Sequence, residues 1–209
     1  MLQFVTNPDA KASIVKQVKE ALKGGCRWIE VAMNDASEEE ITLAINEIKP
    51  LCLECQAFLL LKDHAELAKT LDVGGVHLSA DGMLPSKARL LLGPAAVIGV
   101  SAHNIDEVKA VRSLDIDYIS LEPYKSDRIE DGEKVLGIDG IKEIDDQMRK
   151  MEINIARVAF GNIDVDDVDP LMKAGVNGIA VSKSIADASD IRMAAEAFIK
   201  ALEPYEKER

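Results

Sequence analysis

Small and polar residues close several short apolar runs in this chain, and their types suit the handling of phosphate. Gly161-Asn162 ends the run Arg157–Phe160, and Ser182-Lys183-Ser184 ends the run Gly178–Val181. Small side chains let backbone N–H groups approach an anion, and the positive end of a following helix favours it. Gly161 serves equally as a plain turn, and Lys183 as a solvated loop lysine. Asp63 and Asp81 follow two other apolar runs. Mg²⁺ takes one or two carboxylates from a protein and keeps positions for phosphate oxygens, so this pair suits that ion. Each aspartate also suits a helix N-cap. His103 is placed as a general acid or base, or as an ordinary surface histidine. His77, in the middle of Gly75-Val76-His77-Leu78, reads as a buried, hydrogen-bonded core side chain. Cys52-Leu53-Glu54-Cys55 is a lone C-x-x-C, with the three histidines scattered at 64, 77 and 103. It lacks the further ligands of a zinc site and precedes a strand instead of opening a helix, so packing or surface thiols are the expectation.

The elements that must position these groups alternate regularly. Ala12–Lys23 carries an apolar stripe at helical spacing and stops at Gly24-Gly25. Ser37 with Glu40 predicts a capping box for the helix Glu38–Ile48, which Pro50 closes. Ala57–Leu61 is nearly all apolar, as a strand covered on both faces should be. Asn104 caps a predicted helix Ile105–Ser113. Val165–Lys173 is predicted helical, Ala188–Leu202 is the closing helix, and Pro204–Arg209 a charged tail. About eight strand–helix units joined by short connections imply a parallel sheet closed into a (β/α)₈ TIM barrel, a single domain over residues 1–209. Reacting groups in such a barrel collect at the carboxyl ends of the strands, which adds Glu30, Asn34, Lys62, Ser101 and Glu122 to the candidates. The polar stretch Tyr124–Lys134 lacks apolar periodicity and reads as a lid loop over the mouth.

Composition narrows the classes. Apolar residues make up 47% of 209, enough for a sizeable core. The net charge of −12 argues against generic nucleic-acid binding, though not against an anionic ligand held by a local loop. No apolar run reaches membrane-spanning length. The first residues, MLQFVTNPDAK, lack the pattern of an export signal, and three cysteines suit reduced thiols, so the cytoplasm is the expected location.

Five segments in order, Gly75-Val76-His77-Leu78, Ile98-Gly99-Val100-Ser101-Ala102-His103, Asp117-Tyr118-Ile119, Leu136-Gly137 and Ala174-Gly175-Val176-Asn177-Gly178-Ile179-Ala180-Val181-Ser182, resemble the thiamine-phosphate synthase family, which includes the related thiazole tautomerases. The resemblance runs from Phe4-Val5-Thr6 to the last helix. It implies a (β/α)₈ barrel, phosphorylated small-molecule substrates and Mg²⁺, with a homo-oligomer open. It also implies a reaction in which diphosphate leaves a hydroxymethylpyrimidine and a thiazole phosphate nitrogen captures the resulting cation. On this resemblance Asp63 is the first metal ligand and Asp81 the second. Ser101 and Lys62 lie near the diphosphate, and Gly161, Asn162, Ser182 and Lys183 hold the phosphate of the second substrate.

The resemblance has a gap at strand two. The family carries a Gln-x-Arg-x-Lys pattern where this chain has Glu30, Ala32 and Asn34, so two cations are lost and an anion gained. The family's Asn-Asp pair is Lys62-Asp63, Asp81 stands one place early, and the Thr-x-Thr-Lys segment after strand six is absent. Pro123 stands where the tautomerases carry histidine. A coupling enzyme and a barrel that only binds a phosphorylated ligand are therefore both expectations. A different reaction using Glu30 and Glu122 as an acid–base pair is a third.

Overall fold

Short β-branched and leucine-rich runs alternate with amphipathic stretches, and this rhythm produces a closed parallel barrel. The computed structural model describes residues 1–126 and 135–206. Its strands are β1 (Leu2–Val5), β2 (Trp28–Val31), β3 (Phe58–Lys62), β4 (Gly75–Leu78), β5 (Val97–Ala102), β6 (Tyr118–Leu121), β7 (Ala156–Phe160) and β8 (Gly178–Val181). Each pairs with the next, and β8 returns to β1. The helices are α1 (Ile14–Lys23), α2 (Glu38–Glu54), α3 (Ala65–Thr70), α4 (Pro85–Leu92), α5 (Ile105–Val111), α6 (Gly137–Lys150), α7 (Val168–Lys173), α8 (Lys183–Ala186) and α9 (Ile191–Glu206).

Strand side chains alternate between two cores. Leu2, Phe4, Ile29, Leu59, Leu61, Val76, Ile98 and Ile119 point outward and pack under the helices. Val5, Leu60, Tyr118, Val158 and Ala180 point inward and form the barrel's own filling, with Trp28, Val97 and Ala156 against them. The register sets Glu30 beside Val5 and Leu60, His77 beside Lys62 and Gly99, and Ser101 beside Ser120. The inward row thus turns from apolar to polar as it approaches the carboxyl ends of the strands.

Local signals placed most boundaries. Ser37 and Glu40 form the reciprocal capping box at the start of α2, and the Asn104 side chain accepts from the N–H groups of Asp106 and Glu107. Asn104→Ala is expected to lower stability by about 1 kcal/mol, the usual worth of such a cap, read as an earlier urea midpoint with unchanged slope. Helix α2 does not close at Pro50 but continues to Glu54. Pro50 and Asn46, whose carbonyl a proline cannot bond, are both exposed residues on the outer face of the helix, where the lost bond costs least. Pro204 is likewise carried inside α9, so the expected charged tail begins as helix. The segment from 165 starts as a 3₁₀ turn at Val165–Asp167 before α7. Residues 127–134 of the expected lid lie outside the described residues. Its first residue, Tyr124, is buried in the core. No helix among the described residues is long and apolar enough to cross a membrane.

Candidate functional site

Glu30 lies inside the barrel, not at its rim. Its Oε2 accepts from Gln3 Nε2 at 2.8 Å and stands 3.3 Å from His77 Nδ1. Gln3 Nε2 also donates to the Tyr118 hydroxyl at 3.1 Å. The Tyr118 oxygen is 2.8 Å from His77 Nδ1, and His77 Nε2 is 2.9 Å from Ser101 Oγ. Gln3, Glu30, His77, Ser101 and Tyr118, from five strands, therefore form one connected polar cluster, and all five are buried. Ser120 Oγ donates to Glu122 Oε2 at 2.9 Å at the end of β6, the strand that carries Tyr118. Gln3, Glu30, Lys62, His77, Ser120 and Glu122 converge under the mouth, packed too closely to leave room for a water molecule between them. Gly99 makes the cluster possible: a Cβ there would lie 2.1 Å from the Tyr118 ring.

Burial raises the Glu30 carboxyl above its ordinary range, opposed by the charges of His77 and Lys62 and reinforced by those of Glu122 and Asp63. Burial, with the negative charge of Glu30, likewise raises the Tyr118 phenol, which stays a donor. The stability consequence has a definite sign. An acid raised by folding binds its proton more tightly in the native state. Its contribution is full below the ordinary glutamate range and is lost as pH climbs to the raised value. Wild-type stability should therefore fall with pH from that range upward, by at most about 1.4 kcal/mol per pH unit for one proton. Glu30→Gln keeps the shape but removes the titration, and urea unfolding along a pH series should show that slope flattened.

The expected phosphate site is a cavity. Gly161, Asn162, Ser182, Lys183 and Ser184 line a space of about 360 Å³ between the ends of β7 and β8, with Asn7, Lys125 and Ser126 on its other walls. Gly161 has φ +119°, and a Cβ there would stand 2.8 Å from the Lys125 carbonyl oxygen and 2.9 Å from the Tyr124 nitrogen. It is thus fixed by conformation and by close approach of the sixth loop, beyond simple turning. Ser182 precedes the short helix α8. Lys125 Nζ is 2.6 Å from Asp167 Oδ1, which fastens the sixth loop to the seventh. A larger groove of about 780 Å³ beside α1 and the turn Asp187–Ile191 contains none of the expected site residues.

The remaining candidates spread round the rim. Asp63 has φ +61°, and its two oxygens accept from the N–H and hydroxyl of Ser79 at 2.7 and 2.6 Å. This bond ties the third loop to the fourth, where Asp81 is exposed. A Cβ on Gly82 would lie 2.8 Å from Asp63 Oδ1, so the Asp81-Gly82 turn is folded over that carboxylate. Among the described residues no three His, Cys, Asp or Glu side chains gather as a metal cluster. One or two carboxylates completed by substrate oxygens is the arrangement these residues fit. Lys62 ends β3 inside the mouth, and Asn34 is exposed beyond β2. His103 Nδ1 pairs with Glu107 at 2.9 Å at the exposed start of α5, the contact that the surface role weighed against acid–base use would make. Cys26 and Cys52 are buried thiols pushed up by burial to about 11 and about 12, suited to packing and not to reaction. Sequence reasoning missed Gln3 and Tyr118. The only available signal was alternation, which puts Gln3 on the inward face with Val5 and Tyr118 with Ser120.

Comparison with known proteins adds independent findings. A model of the thiamine monophosphate synthase family matches residues 2–185. A thiamine-phosphate synthase of Bacteroides fragilis is 40% identical over 190 residues, covering 90% of this chain and 93% of that protein. One from Methanococcus maripaludis is 31% identical over 207 residues, covering 99% and 97%. Among solved structures, the thiamine phosphate pyrophosphorylase from Pyrococcus furiosus superposes with a TM-score of 0.85 at 27% identity, over 97% of this chain and 95% of that one.

Proposed function

The chain belongs to the thiamine monophosphate synthase family, and from that premise we propose that it joins hydroxymethylpyrimidine diphosphate to thiazole phosphate. The observation that carries the reading is the cavity at the ends of β7 and β8, lined by Gly161, Asn162, Ser182 and Lys183 beside a polar barrel mouth. The reaction breaks the carbon–oxygen bond to diphosphate and forms a carbon–nitrogen bond to the thiazole. Gly161, Asn162, Ser182 and Lys183 would hold the thiazole phosphate through backbone N–H groups, a hydroxyl and an ammonium. Lys62 would set a positive charge near the departing diphosphate, and Ser101 would place a hydroxyl there. Asp63 and Asp81 would hold Mg²⁺, which when bound supplies charge neutralisation to the leaving group. Soluble phosphorylated substrates suit a cytoplasmic enzyme. A coupled assay with both substrates and Mg²⁺ tests the proposal. Thiamine phosphate should form, and none under conditions where a relative turns over would refute it.

One observation favours a second reading. Ala32 follows β2 at the mouth with only a methyl group, and Glu30 below it is buried against His77 and Gln3. Strand two thus brings no cation to a diphosphate. A member that retains the β7–β8 phosphate site without the coupling reaction would have this arrangement. Calorimetry separates the readings: thiazole phosphate binding alone favours the second, binding of both substrates the first.

A further inference from the structure

The chain carries 37 acidic and 25 basic side chains, a net charge of −12. The cavity at the ends of β7 and β8 reverses that balance, with two ammonium groups, Lys125 and Lys183, against one carboxylate, Asp9, among its lining residues. Lys183 follows β8 and is already part of the phosphate site. Lys125 comes from the sixth loop, and its backbone and its ammonium are both held in place. Its carbonyl oxygen lies over Gly161, 2.8 Å from where a Cβ would stand. The preceding residue, Tyr124, donates its N–H to the Phe160 carbonyl at 2.7 Å, and its own carbonyl accepts from the Gly137 N–H at 3.0 Å. At the other end, Lys125 Nζ meets the two oxygens of Asp167 at 2.6 and 2.8 Å and stands 5.0 Å from the centre of the Tyr124 ring.

Asp167 is itself fixed. Its Oδ1 also accepts from the Tyr124 hydroxyl at 3.1 Å, and its Oδ2 from the Asp164 N–H at 3.0 Å. The hydrogen bond from Asp167 holds the Lys125 ammonium above the ordinary lysine range, so it stays charged. A lysine ammonium carries three hydrogens. The two Asp167 oxygens take two, and the pairing leaves the third over. The Lys125 side chain is 48% exposed, beside a cavity of about 360 Å³.

We propose that Lys125 binds the phosphate group of the ligand in the β7–β8 cavity, with Asp167 as the anchor that presents its ammonium there. A phosphate oxygen would accept the third hydrogen as a charge-assisted bond. The phosphate is then gripped from the sixth loop as well as from the seventh and eighth. This inference rests on the phosphate reading of the cavity and adds to it a residue from outside the Gly161–Ser184 stretch.

The rival role for Lys125 is a latch alone, tying the sixth loop to the seventh. The two roles separate because Asp167→Asn removes the anchor's charge and leaves the cation, whereas Lys125→Met removes both the latch and the cation. Titration of nitrogen-15-labelled protein with inorganic phosphate, followed at the amide resonances of Gly161 and Ser182, reads the affinity at the cavity itself. Lys125→Met should weaken binding by about ten- to a hundredfold, the worth of one hydrogen bond to a charged group. Lys125→Arg should restore most of that loss. Asp167→Asn should bind phosphate at least as tightly as the wild type, since the cation remains and the competing carboxylate charge is gone. Equal affinity in Lys125→Met and the wild type overturns the proposal. So does equal weakening by Lys125→Met and Asp167→Asn, which would make Lys125 a latch only. If phosphate moves neither resonance in the wild type, the phosphate reading of the cavity falls, and this inference with it.

Discussion

Ala32→Arg combined with Asn34→Lys is expected to tighten binding of the diphosphate substrate by about a hundred- to ten-thousand-fold. The estimate comes from two charge-assisted hydrogen bonds at about 1.5–3 kcal/mol each, or about 3–6 kcal/mol together. The backbone at Ala32 is already fixed, since its N–H donates to Thr6 Oγ1 at 3.0 Å and its carbonyl accepts from the same hydroxyl at 3.3 Å. A new side chain there springs from a rigid base at the mouth, so little ordering is spent in presenting it. Glu30 is the competing partner. An arginine two residues away on the same inward row would draw off the Glu30 proton and pair with the carboxylate, forfeiting part of the gain. Adding Glu30→Gln should restore that part. Calorimetry with the diphosphate substrate should therefore rank the triple variant above the double, and the double above wild type. Equal affinities across the three would mean that the diphosphate does not lie over strand two.

The barrel itself was legible because its signals are local and repeated. Ala57–Leu61 reads as a doubly covered strand, and Ser37 and Asn104 mark helix starts through groups that act within a few residues. The β7–β8 cavity was legible for the same reason, since Gly161, Asn162, Ser182 and Lys183 sit immediately after their strands. The central cluster was not. Gln3 and Tyr118 are 115 positions apart and meet only because the closed sheet brings β1 and β6 across a filled interior. His77 was read as a hydrogen-bonded core residue, which it is, yet its partners Glu30 and Ser101 belong to the rim candidates. Core and site merge at this level of the barrel, and the alternation of one strand cannot reveal that. His103 illustrates the converse. It follows a strand as a reacting group would, but Asn104 starts α5 at once and turns the imidazole to Glu107. Pro50 and Pro204 read as helix stops because their missing N–H groups count as breaks, and exposure on a helix face removes that penalty.

Gly99→Ala is expected to destabilise the fold by about 3 kcal/mol or more and to disperse the central cluster. The backbone at Gly99 is not in the left-handed region, so alanine meets no conformational penalty there and the effect is steric alone. The added methyl would lie 2.1 to 2.4 Å from Tyr118 Cζ, Cε1 and the hydroxyl oxygen. Gly99 sits on a strand paired on both sides, with His77 on β4 and Tyr118 on β6 as its register partners, so the backbone has little room to retreat. The ring must move instead. Overpacking of this kind costs about 1–3 kcal/mol, and moving the hydroxyl away from His77 and Gln3 adds about 1 kcal/mol for each bond. Trp28, 4.9 Å from the ring in an edge contact, would lose its neighbour as well. A double-mutant cycle isolates the cause. Tyr118→Ala alone should cost about 3–5 kcal/mol as a large-to-small change, but in that background Gly99→Ala should become nearly neutral. Urea unfolding of the four proteins gives the coupling, expected to be about 3 kcal/mol and favourable. A coupling near zero would mean that the glycine serves the strand and not the ring, and that the placement of Tyr118, His77 and Ser101 does not depend on the space it leaves.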